Sequence, residues 1–74
     1  MGEQFNGWKN RSTWNAHLWL TNDYDVYHAA EAAARRGDVE DLIVLTRDYT
    51  GAIGDGTNLP EVDWQEIVNA LTEE

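Results

Sequence analysis

Between Asn22 and Asp38 this chain has almost no choice of secondary structure. Asn22 or Asp23 offers a helix N-cap, the interior is rich in alanine (Ala29, Ala30, Ala32, Ala33, Ala34), and Gly37 supplies a stop. Arg35 and Arg36 stand in the last turn, where the helix dipole favours cations. Asp38 follows at once as a new cap, with Asp41 three residues on as a weaker relative of the capping box. One helix therefore ends and another begins with no room for a loop between them.

The apolar set of this next helix is Val39, Leu42, Ile43, Val44, Leu45 and Tyr49, which makes it the expected central element. Leu42 to Leu45 alone also reads as a short buried strand, because periodicity cannot separate the two over so few residues. The bracketing of a helical length by Asp38 and Gly51 favours helix. Upstream, Ser12 or Thr13 is the expected cap of a first helix running from Trp14 to about Thr21, with Trp14, Leu18 and Thr21 on one face. Trp19 lies about 500° around from Trp14 at helical pitch, so either this helix is buried on two sides or Trp19 is exposed. From Gly51 to Leu59 the chain reads as a glycine-rich loop. A last helix starts near Pro60 or Asp63, where Asp63 and Glu66 have capping-box spacing and Trp64, Ile67, Val68 and Leu71 form an apolar stripe.

With 74 residues and no cysteine, this chain has neither a disulfide framework nor a thiolate metal site to staple it. Four tryptophans (Trp8, Trp14, Trp19, Trp64) compensate, since each large aromatic buries about 150–250 Å². The expected fold is an all-α single domain over 1–74, a small bundle of about four short helices. An α+β variant with a short strand around 42–45 is the alternative. Met1 to Asn10 holds no apolar segment of the signal-peptide kind, and no run approaches membrane-spanning length, so a soluble protein of a reducing cytoplasm is expected.

Charge is distributed unevenly. Met1 to Gly37 has four acids and four bases, whereas Asp38 to Glu74 has ten acids and one base, Arg47, which gives the whole net charge of −9. Such a field repels nucleic acid and attracts proteins built to bind it, so the expected partner is a basic surface and direct nucleic-acid binding is disfavoured. Asp41 and Asp48, seven residues apart, share a helix face about 10 Å from each other. Glu40 lies beside Asp41, and Asp55, Glu61, Asp63 and Glu66 follow on the loop and last helix. Packed side by side, the two elements would approximate the phosphates of a duplex, about one charge per 1.7 Å of axis. The partner-binding candidates are Glu40, Asp41, Asp48, Asp55, Glu61 and Glu66. Solubility and capping account for Asp38, Asp63 and Glu66 without a partner, but not for the rest.

Catalysis is not expected, and neither is a cofactor or metal. His17 and His28 belong to no zinc spacing, Ser12 to no nucleophile elbow, and Asp55-Gly56-Thr57-Asn58 lacks the alternating acids of a calcium loop and reads as a turn.

The opening Asn6-Gly7-Trp8-Lys9-Asn10-Arg11-Ser12-Thr13-Trp14-Asn15, with Leu18-Trp19-Leu20 after it and Val62-Asp63-Trp64-Gln65-Glu66-Ile67 near the end, resembles a short domain encoded by bacteriophages and other mobile elements. In size, charge and lack of catalytic residues the chain is also similar to the small acidic phage proteins that inhibit host defence, including anti-CRISPR and DNA-mimic anti-restriction proteins. The resemblance implies an inhibitor in the cytoplasm of a bacterial host that occupies the DNA site of a defence complex, monomeric or weakly dimeric, and it assigns no residue roles. The alternative is a protein-binding module with an apolar patch around Trp19 and Tyr27, its acidity serving solubility. Physically, the motif reads as a folding device: Trp8 and Trp14 flank the first helix as a hydrophobic staple, and Asn6, Asn10 and Asn15 satisfy turn and terminal backbone groups.

Overall fold

The computed structural model describes residues 7–73, and among these it contains four α-helices and no strand. They are α1 (Arg11–Asn22), α2 (Tyr24–Arg36), α3 (Val39–Tyr49) and α4 (Trp64–Thr72), with a 3-10 turn over Leu59–Glu61 before α4. The fold is all-α. Segment 42–45 is helical, so the strand alternative falls: the Asp38 carboxylate caps α3 at the Asp41 N–H (3.1 Å), and the bracketing caps decide what four apolar residues could not. No helix among the described residues is long and apolar enough to cross a membrane.

One residue joins α1 to α2 and two join α2 to α3. Asp23 ends α1 and caps α2, its Oδ1 accepting the N–H groups of Asp25 (2.9 Å) and Val26 (3.2 Å). Gly37 closes α2 at φ 70°, and the chain is locked by Gly37 N–H to Ala34 O (3.0 Å) and Asp38 N–H to Ala33 O (2.9 Å). The left-handed backbone at Gly37 is what lets α3 start one residue later.

The central element is α2, and not α3 as its apolar content suggested. It packs extensively on both α3 and α4, while those two touch each other less. Its buried residues are only Ala30, Ala33 and Ala34, whose small side chains admit close neighbours. Bulk comes from around them: Leu20 of α1, Leu42 and Leu45 of α3, Ile67 and Leu71 of α4, and Val62 before it, with Trp8, Val26, Tyr27, Trp64 and Val68 packed against this cluster. An alanine helix ringed by large aliphatics suits a small core, because the bulk of each neighbour can occupy what alanine leaves.

α1 departs from its expected form at both its start and its face. It begins at Arg11 with Asn10 as N-cap, which overturns Ser12 or Thr13 in that role. Asn10 Oδ1 accepts both the N–H and the hydroxyl of Thr13, each at 2.8 Å. The buried face carries Ser12, Thr13, Asn15, Ala16 and Leu20, whereas Leu18 is 44% exposed. Small and polar residues occupy the inner face because that face meets loop backbone as well as helices. Thr21 lies outside the buried set, and its hydroxyl bonds back to His17 O at 2.9 Å.

Candidate protein-binding surface

α4 begins at Trp64, capped by Asp63, whose Oδ1 accepts the Glu66 N–H at 3.2 Å. The reciprocal half of a capping box is not made. Glu66 Oε1 instead accepts the backbone N–H of Lys9 at 3.0 Å, and the Asp63 N–H goes to Thr13 Oγ1 at 2.9 Å. Pro60 sits in the 3-10 turn.

These bonds belong to a polar latch built from the opening motif. Asn10 Nδ2 donates to Glu61 O (2.8 Å), Ser12 Oγ accepts from the Asn58 N–H (3.1 Å), and Asn15 Nδ2 donates to Thr57 Oγ1 (2.6 Å). Four side chains on the first turns of α1 thus hold residues 57–63 against the bundle. The motif is a folding device, as its chemistry suggested. Asn15 serves a threonine hydroxyl instead of the backbone, and Asn6 lies outside the described residues. With the cap at Asn10, Trp8 stands one position further out than a staple residue does; its ring packs on His17, with centroids 4.5 Å apart.

The six candidate acids have different partners in this frame. Glu40 is exposed at the start of α3 and borders a shallow depression with Asp38, Asp41 and Val44. Asp41 is bound by Arg36 (3.2 Å), which also approaches Asp38 (3.6 Å). Asp48, at the far end of α3, is held by Arg47 through Nε–Oδ1 (2.9 Å) and Nη2–Oδ2 (3.0 Å). Hydrogen bonding to this guanidinium lowers the Asp48 carboxyl below its ordinary value, and Asp48 raises Arg47 in turn. Asp55 accepts the Trp19 indole N–H at 3.3 Å; Glu61 is exposed; Glu66 is committed to Lys9. α2 packs broadly on both α3 and α4, whereas α3 and α4 touch each other less than side-by-side packing of the two would give. Glu40 and Asp41 border one depression, and Asp48 and Asp55 both lie near Trp19, the first lining the same cleft and the second at its indole N–H.

The apolar surface also differs from expectation. Tyr27 packs against the core and Trp19 is half-buried, whereas the exposed large apolar residues are Leu18, Tyr24, Tyr49 and Ile53. Tyr49 is 68% exposed although its spacing places it with the α3 core set, because it is the last residue of the helix and reaches the rim of the bundle. Trp19, Asn22, Asp23, Asp48, Tyr49, Thr50 and Gly51 line an open cleft of about 580 Å³ between the C-terminal ends of α1 and α3. Among the described residues no group of three or more His, Asp or Glu is placed to hold a metal ion. His28 stacks edge-on against Tyr24, with ring centroids 4.4 Å apart.

Over its whole length, residues 1–74, the chain matches the model of a family of unknown function, DUF7249, and it belongs to that family. No curated protein and no solved structure matches it.

Proposed function

We propose that this protein is a phage- or mobile-element-encoded inhibitor that occupies the DNA-binding site of a host defence complex in the bacterial cytoplasm, an anti-CRISPR protein in the first instance. The observation that carries this reading is the ten acids against one base from Asp38 to Glu74. Exposed Glu40 and Glu61 add charge with no salt bridge among the described residues, and Asp48 keeps its carboxylate at the surface in an exposed pair. The partner is a basic protein surface, and the chain itself binds no nucleic acid.

The experiment is recovery of partners from cells that carry CRISPR and restriction systems, followed by a DNA-binding competition on the recovered complex. DNA displacement that is lost when Glu40, Asp55 and Glu61 are reversed to Lys supports the proposal, and displacement unchanged by those reversals defeats it. Exposed Leu18, Tyr24, Tyr49 and Ile53 favour a second reading, docking through apolar contacts. Salt separates the two: binding through exposed charges weakens steeply as salt rises and apolar docking does not.

A further inference from the structure

The cleft between the ends of α1 and α3 combines three features. Its volume, about 580 Å³, lies within the about 300–1,000 Å³ typical of ligand sites. Two aromatic side chains, Trp19 and Tyr49, line it. Two carboxylates, Asp23 and Asp48, line it as well.

Trp19 is fixed in place. Its ring lies so close to Gly51 that a Cβ there would meet Cη2 at 2.9 Å, and its indole N–H is tied to Asp55 at 3.3 Å. A ring held between a bare backbone and a carboxylate offers its surface with little further entropy to lose, which is the condition for a preorganised aromatic contact. The carboxylates are accessible too. Asp23 uses Oδ1 for capping while its Oδ2 makes no hydrogen bond among the described residues, and among these Asp48 is engaged only by its exposed sequence neighbour Arg47. Such an exposed pair exchanges readily for another cation.

We infer that this cleft receives an arginine side chain of a protein partner. An aromatic wall attracts a cation through its π-face, and a planar guanidinium can stack there while its edge hydrogen-bonds a carboxylate in two places. A lysine ammonium has no such edge. The chain's net charge of −9 draws the cation in, and Arg47 on Asp48 shows that a guanidinium already takes the two-point geometry at this rim. The inference rests on the reading of the protein as a binder of basic surfaces and locates where one basic side chain enters.

The test is an amide and indole NMR titration of the full chain with a short blocked peptide carrying a single arginine, with its lysine and norleucine counterparts as controls. The expected result is saturable shifts confined to the Trp19 indole N–H and the amides of Asn22, Thr50 and Gly51, strongest with arginine. Asp23→Asn together with Asp48→Asn weakens binding about fivefold, and Tyr49→Ala about threefold. Glu31→Gln with Glu73→Gln, which removes the same charge elsewhere, changes it by less than about twofold. Shifts spread over the whole acidic surface, equal losses in the two double variants, or no shift in the cleft would each overturn the inference. If the peptide fails while reversal of Glu40, Asp55 and Glu61 still stops DNA displacement, the cleft alone is wrong; if it binds but no complex loses its DNA, the proposed function alone is wrong.

Discussion

Thr13 has no exposed surface, yet its hydroxyl makes two bonds, donating to Asn10 Oδ1 and accepting from the Asp63 N–H. Thr13→Val keeps the shape and removes both, leaving a backbone donor at the start of α4 unpaired. We expect a loss of about 1–3 kcal/mol by urea denaturation, and a smaller one for Thr13→Ser, which keeps the hydroxyl. Gly51 makes a different demand, since its backbone is ordinary and the constraint is the Trp19 ring 2.9 Å from where a Cβ would lie. Gly51→Ala should destabilise by about 1–3 kcal/mol through overpacking and shift the Trp19 indole resonance. Gly37→Ala, with open space around it but φ 70°, should cost about 1 kcal/mol through backbone strain and leave that resonance alone. Equal indole shifts in both would disprove the assignment. Neither role was legible in the sequence: Thr13 reads as a cap and Gly51 as a loop residue, because the partner of each lies 50 and 32 residues away in the chain.

Helices α2, α3 and α4 were legible because their signals are local. Asp23, Asp38 and Asp63 cap where their spacing to the next apolar run puts them, and Gly37 stops α2 by its own conformation. α1 was misread because three residues within four positions, Asn10, Ser12 and Thr13, all carry capping oxygens, and only the folded chain shows that loop backbone claims two of them. Of the candidate acids, sequence gave the helix positions of Asp41 and Asp48 but not their partners, since Arg36 reaches Asp41 across the turn at Gly37. At this scale Asp63→Ala should lower stability by about 1 kcal/mol, while Asp63→Asn, still a good cap, should stay within a few tenths. Asp48 gives the pH signature of the α3 end. Its carboxyl is lowered by Arg47, so its contribution to stability is present above the ordinary aspartate value and lost as pH falls through the depressed one. Both side chains are exposed, so solvent leaves little of this in the melting curve, and the check is the carboxyl titration by NMR. Arg47→Ala should return Asp48 upward toward its ordinary value, and an unmoved titration would rule out the pairing in solution.

The whole molecule carries −9 on 74 residues, and with fourteen acids against five bases most acid stations have no cation to offset them and repel one another. Acids kept for the fold should be missed when removed; acids kept for a partner should not. Glu40 and Glu61 are exposed, and neither side chain has a salt bridge among the described residues. Glu40→Lys with Glu61→Lys should therefore leave the thermal midpoint unchanged or raise it while weakening any binding to a basic surface. Salt gives the matching test. Between about 0.01 M and 0.15 M the Debye length falls from about 30 Å to about 8 Å, which screens repulsion between stations while sparing close contacts. The parent protein's midpoint should rise over this range, and that of the double variant should rise less. A parent midpoint that falls with salt would mean that attraction dominates the surface, and that the acids of the second half serve the fold after all.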